Sequence, residues 1–286
     1  MKRVLQILVL GLVILGNTAH SAESLVTIII DDLGNNADHG VEAIHLPGDI
    51  TYALLPNTPF ASVLAELAHE KGRQVILHLP MQSEHHEKLG PNGLHEKMQE
   101  AEYKWNVLSA LESVPHVTGL NNHMGSLLTQ KEEPMKWLMS VLQEKQLIFL
   151  DSRTTTKTVA QQTADAMGVT SLRRDVFIDN ERQSFAMQKQ LDELIKKSKQ
   201  QGYATGIAHP YPETLAFLKE QLPLLGEKGV KLVPLSEVVK KRYQHLEQVV
   251  SIEQTESDKH SKSNKRNPPC QPSLSHSPKV VKNSKP

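Results

Sequence analysis

Val26-Thr27-Ile28-Ile29-Ile30-Asp31-Asp32-Leu33-Gly34 is a run of β-branched residues that ends in two adjacent carboxylates and a glycine. Successive branched side chains favour extended backbone, and a run without polar alternation reads as a strand buried on both faces. The pattern recurs along the chain. Ile50 to Leu55 reads as a second strand, closed by Pro56-Asn57-Thr58-Pro59, and Val75 to Leu79 as a third, closed by Pro80. A weaker strand runs through Val117 to Leu120. Leu147 to Leu150, Val176 to Ile178, Tyr203 to Ala208 and Val230 to Val233 continue the series. Between the strands, apolar residues recur at helical spacing: Phe60, Val63, Leu64 and Leu67, then Met135, Leu138, Met139 and Leu142. Phe185, Leu191, Leu194 and Ile195 make a further helix face, and Leu215, Leu218 and Leu222 another. Strands alternating with helices imply an α/β fold with a mostly parallel, covered sheet. About seven or eight such units close naturally into a (β/α) barrel, with an open doubly wound sheet as the alternative.

Polar residues gather where these strands end. The first ends in Asp31-Asp32, the third at His78, and the weak one runs into Asn121-Asn122-His123-Met124-Gly125-Ser126. Asp151-Ser152-Arg153 and Asp179-Asn180 follow two more, and His209-Pro210 follows another. In a parallel α/β fold these ends share one face, which is where active sites form. Each residue has a plainer reading: the aspartates as a helix cap, His78 as a core histidine, His123 as a loop residue. Their joint placement favours one shared site. Asp31 and Asp32 can both face it only if the strand ends there and the chain turns, because neighbours in a strand point to opposite faces. His85, His86 and His95 lie in a polar loop after the third strand and read as solvent-exposed.

The chain has 286 residues with 32 acidic and 32 basic side chains, so net charge gives no reason to expect nucleic acid as a partner. Lys2 and Arg3, the apolar run from Val4 to Leu15 and the small or polar residues from Asn17 to Ala22 read as a signal peptide over residues 1–22. That run is shorter than the roughly 20 residues a bilayer needs, so no stable membrane span is expected after processing. Export to the periplasm or cell envelope follows. Residues 23–245 read as the folded domain. Residues 246–286, rich in Ser, Lys, Asn, Pro and His, read as a disordered tail. The single cysteine, Cys270, falls in that tail, so no internal disulfide forms and stability must come from the core.

At the same residues the chain resembles the divergent polysaccharide deacetylase family, a distant branch of the carbohydrate esterase deacetylases with a distorted (β/α) barrel. The resemblance runs from about Ser24 to about Tyr243. Its pieces are Ile28 to Gly34, Leu77-His78-Leu79-Pro80-Met81-Gln82, Gly119 to Ser126, Phe149 to Thr154, Arg174 to Asp179 and Gly206-Ile207-Ala208-His209-Pro210. It implies a barrel of about seven strands, with Asp31 as base, Asp32 as metal ligand, His78 as a second ligand and His209 as acid. The family's second motif histidine falls at Gln82, a poor zinc ligand, and His123 is the residue that would supply the missing nitrogen. Asn121 to Ser126 stands where the base-orienting arginine is usual, with Arg153 or Arg174 as replacements. Asn122, Asp151 and Asp179 complete the supporting set.

The resemblance implies a divalent metal, most readily Zn²⁺, and an acetylated glycan as substrate. Two His and one Asp on Zn²⁺ leave a position open for water or substrate. The implied function is an exported metal-dependent hydrolase removing acetyl groups from a cell-envelope polysaccharide. The departures at Gln82 and at the arginine motif keep a second reading open: a non-catalytic glycan-binding or regulatory envelope protein with the same fold.

Overall fold

The computed structural model describes residues 23–85 and 87–244. The expected signal peptide, the disordered tail, Cys270 and His86 lie outside the described residues. The elements in chain order are β1 (Ser24–Leu33), α1 (Ala37–Ile44), β2 (Thr51–Leu54), α2 (Ala61–Glu70), β3 (Gln74–Met81), α3 (Glu100–Glu112), β4 (Val117–Met124) and α4 (Glu132–Lys145). They continue with β5 (Ile148–Asp151), α5 (Ala160–Ala166), β6 (Ser171–Arg173), β7 (Val176–Phe177), α6 (Ser184–Gln201), β8 (Tyr203–Ala208), α7 (Pro212–Gln221) and β9 (Val230–Leu232).

The sheet runs β6-β5-β4-β3-β2-β1-β8-β7, with β9 added to β1, and its ladders are parallel. No ladder joins β6 to β7. The chain itself bridges them: Arg174 N–H donates to Asp151 O at 2.9 Å on one side, and Asp175 N–H to Thr205 O at 2.8 Å on the other. The result is a distorted (β/α) barrel, and its parallel order puts the strands' C-terminal ends on one face.

Strand periodicity divides the core in two. Val26, Ile28 and Ile30 of β1 pack with helix residues such as Leu64, Leu138, Leu191 and Leu218. Ile29 points the other way and is fully buried, as are Ala53, Ile76, Leu150 and Ile207, which lie outside that cluster. These side chains fill the barrel beneath the site and make a rigid floor for it. Among the described residues, no helix is long and apolar enough to cross a membrane.

Several local expectations change. β3 does not stop at Pro80. The last β2 pair lies back at Leu54–Leu77, and Pro80 O accepts from Leu94 N–H at 2.8 Å, so the missing proline donor leaves no ladder bond unmade. β4 extends through Asn121, Asn122 and His123 to Met124, because these polar residues are held by side-chain partners where the pattern of apolar residues gives out. β6 has too few residues to leave a periodic signal. Phe185, expected on a buried helix face, is 83% exposed at the start of α6.

Candidate functional site

The first strand neither ends nor turns at its aspartates; it bulges. Ile30 pairs with Tyr52 and Leu33 with Leu54, so β1 carries one more residue than β2 between the two pairs. Asp32 takes φ 59° within this bulge. Asp is among the residues that tolerate the left-handed region, and the bulge re-aims the side chain so that consecutive carboxylates share one cleft. Neither caps α1. That task falls to Asn36, whose Oδ1 accepts from His39 N–H at 3.0 Å.

Three side chains from three strands meet at one point. Asp32 Oδ1 lies 3.1 Å from His78 Nε2 and 2.8 Å from His123 Nδ1, and the two ring nitrogens are 3.1 Å apart. Despite this closeness Asp32 Oδ1 is buried without a hydrogen bond of acceptable geometry. The two ring nitrogens meet each other within hydrogen-bond reach, while Asp32 Oδ1 faces both without one. Ligands about 2.0–2.1 Å from a tetrahedral Zn²⁺ stand roughly 3.3 Å apart, so this donor set fits a small divalent cation after slight expansion. Among the described residues it is the one cluster of His, Cys, Asp or Glu compact enough to hold an ion. Asp32 and His123 keep 30% and 21% of their side-chain surface exposed, so the cluster opens to the cleft.

Asn121 fixes the His78 ring. Its Nδ2 donates to Asp31 Oδ1 at 2.9 Å, which turns its Oδ1 towards His78 Nδ1 at 2.7 Å. An amide oxygen only accepts, so His78 Nδ1 carries a proton whatever the charge of the ring, and Nε2 is the atom that faces the cluster. Burial pushes the Asp31 carboxyl above its ordinary value, against the opposing charges of His78 and His209. Burial works on Asp32 the same way, but the imidazoles of His123 and His78 overcome it and hold that carboxyl well below the carboxylate range. Burial disfavours a charged His78, yet Asp31 and Asp32 raise it to about 9.

His209 stands on the opposite side of Asp32, its Nε2 3.9 Å from Asp32 Oδ2. Asp179 holds it twice, accepting from the His209 backbone N–H at 2.7 Å and facing Nδ1 at 3.1 Å. Thr214 Oγ1–H donates to the same carboxylate at 3.0 Å. Burial lowers the affinity of His209 for a proton, but the hydrogen bond and charge of Asp179 reverse this and raise it.

The other expected residues have different places. Asp151 accepts from Arg153 N–H at 2.8 Å and Thr158 Oγ1–H at 2.9 Å, anchoring the loop to α5. Asn122 ties β4 to β5, accepting from Ser152 N–H at 2.9 Å and donating to Met124 O at 2.7 Å. Arg174 donates to the carbonyls of Ser152 and Arg153, and Asn121 is what contacts Asp31. Gln82 Oε1 accepts from Glu96 N–H at 2.9 Å, in the loop after β3. His85 and His95 are exposed. Sequence reasoning passed over Asn121 and Thr214. The pairing of Asn121 with His78 across β3 and β4 was the available signal, since partners in register share a face.

A Haemophilus influenzae Rd protein is 37% identical over 206 residues, 72% of this chain and 74% of that one. The Escherichia coli K12 protein YibQ is 33% identical over 197 residues, 69% of this chain and 62% of that one. A crystal structure from Agrobacterium tumefaciens C58 shares the fold, with a TM-score of 0.74 at 20% identity, covering 77% of this chain and 91% of that one. The sequence profile of one family, described as divergent polysaccharide deacetylase, matches residues 28–239. That span holds the aspartate bulge, both imidazoles facing it and the Asp179–His209 pair, and the chain belongs to the divergent polysaccharide deacetylase family.

Proposed function

We propose that the protein is an exported, zinc-dependent hydrolase that removes acetyl groups from a cell-envelope polysaccharide. The observation that carries this reading is the convergence of Asp32, His78 and His123 on one point, between Asp31 and His209. Export rests on the signal-peptide character of residues 1–22.

Asp32 Oδ1, His78 Nε2 and His123 Nδ1 would hold the ion, which when bound lowers the pKa of water and polarises a carbonyl. The protein's own residues do the rest. Asp31, raised by burial and steadied by Asn121, accepts a proton from the attacking water. The water's oxygen bonds to the acyl carbon, the C–N bond breaks, and acetate is released. His209, whose hold on a proton Asp179 strengthens against burial, gives its Nε2 proton to the departing nitrogen. Phe177 stacks on the His209 ring at 5.1 Å and limits its rotation.

The test is metal analysis of the purified protein together with acetate release from acetylated chito-oligosaccharide. Stoichiometric zinc with acetate release supports the hydrolase. Glycan binding without acetate release, at full zinc occupancy, overturns it in favour of a binding protein.

A further inference from the structure

His209 contacts two aromatic rings, Phe177 and Tyr211, and each of these has an arginine over its face. Arg174 Cζ lies 4.7 Å over the Phe177 ring, and Phe177 stacks on His209 with 16° between the planes. His209 meets Tyr211 at 5.6 Å, and Arg182 Cζ lies 4.7 Å over Tyr211. Among the described residues, neither of these arginines nor Arg153 forms an ion pair.

The shortage of negative charge is sharpest at Arg174. This guanidinium is partly buried and held by neutral acceptors, Nε on Ser152 O at 2.7 Å and Nη2 on Arg153 O at 2.8 Å. Burial and then the adjacent charge of Arg153 make it give up its proton more readily than an ordinary arginine. The carboxylate of Asp151 is already occupied by Arg153 N–H and Thr158 Oγ1–H. Charges drawn out of water are normally paired, so two neighbouring guanidiniums, one of them largely buried and neither in an ion pair, mark a place for an anion.

Ser152 adds an independent observation. It is 3% exposed, and its Oγ has no hydrogen-bond partner. Leu150 pairs with Asn121, which faces the barrel interior. Ser152 follows directly on the end of β5, and Asn122 Oδ1 accepts from its backbone N–H at 2.9 Å, so it stands at the same end of the barrel as the cluster. A buried hydroxyl without a partner thus lies on the same stretch of backbone that holds the Arg174 guanidinium.

We propose that Ser152, Arg153 and Arg174 form a subsite for an anionic group, so that the glycan carries a carboxylate or phosphate on the sugar beside the one that loses its acetyl group. This rests on the hydrolase reading for the identity of the ligand as a glycan. It goes further by assigning the substrate to the acidic class.

The experiment measures binding of a de-N-acetylated oligosaccharide, which cannot turn over, to the intact protein by calorimetry. The sugar is prepared with a free carboxylate, with that carboxylate as a neutral amide, and with a phosphate monoester in its place. The charged forms should bind about tenfold tighter than the amide, the value of one charge-assisted contact, and the tighter of the two identifies the anion. Arg153→Ala and Ser152→Ala should each shrink that preference. Equal affinity for charged and neutral forms overturns the proposal, as does a preference that survives both substitutions. Acetate release is measured separately. Its absence would sink the hydrolase reading and leave a preference for acidic glycan standing.

Discussion

The side-chain amide of Asn121 donates to Oδ1 of Asp31 across 2.9 Å, joining residues 90 positions apart in the chain. One side chain thereby sets two functional groups, the carboxylate proposed as base and the tautomer of His78. Asn121→Leu leaves Asp31 without this donor and His78 Nδ1 without its acceptor. Zinc affinity should fall about 10–100-fold, the usual effect of removing a partner behind a ligand. Competition with a chromogenic chelator measures it, and unchanged affinity would remove Asn121 from the orienting role.

His123 is expected to be indispensable where Gln82 is not. His123→Ala removes one of the three donors and should take the protein from stoichiometric zinc to background in metal analysis. Gln82→His in that background should not restore it. The Gln82 side chain is engaged by Glu96 N–H, and the Gln82 backbone carbonyl accepts from Leu127 and Leu128 N–H. Recovery of zinc in the double variant would show that the motif histidine position still reaches the ion.

Much of the fold was legible because β-branched runs such as Ile28-Ile29-Ile30 and helix stripes such as Met135-Leu138-Met139-Leu142 leave strong periodic signals. The site was legible through strand ends, which put Asp31, Asp32, His78, His123 and His209 on one face from residue order alone. The bulge at Asp32 was not, because one extra residue against β2 changes the pairing without changing the pattern of residue types. Thr214 was hidden for a different reason. It sits on α7, and its contact with Asp179 depends on how that helix docks, which no local pattern encodes.

Asp179 acts through His209, and its removal should be visible in a pH profile. Asp179 raises the His209 pKa above its ordinary value despite burial. Asp179→Asn keeps the size of the side chain and removes the charge, so His209 should lose its proton at lower pH. The alkaline limb of the rate profile should move down in pH, and kcat should fall about 10²-fold or more, the range for a general acid. The same shift has a stability consequence. A raised His209 stabilises the fold fully below the unfolded value of about 6.5, and that contribution disappears as pH rises through the folded value. The Asn variant should therefore lose less stability than the parent across that window in pH-dependent denaturation.

Gly34 ties the stability of the β1–α1 turn to the proposed metal site. It adopts φ +122°, and a Cβ there would stand 2.0 Å from Thr58 Oγ1. Gly34 O also accepts from Phe60 N–H at 2.9 Å, which holds the turn after the aspartate bulge against the start of α2. Gly34→Ala should cost about 1–3 kcal/mol from strain and overpacking. Because the displaced turn follows directly on the bulge that holds Asp32, zinc affinity should fall with it. Gly72→Ala is the control: Gly72 also has positive φ, but nothing lies within 4 Å of where its Cβ would stand. It should lose some stability in urea denaturation without any change in zinc binding. Equal zinc affinity in the two variants would mean that the bulge keeps its geometry without the turn that follows it.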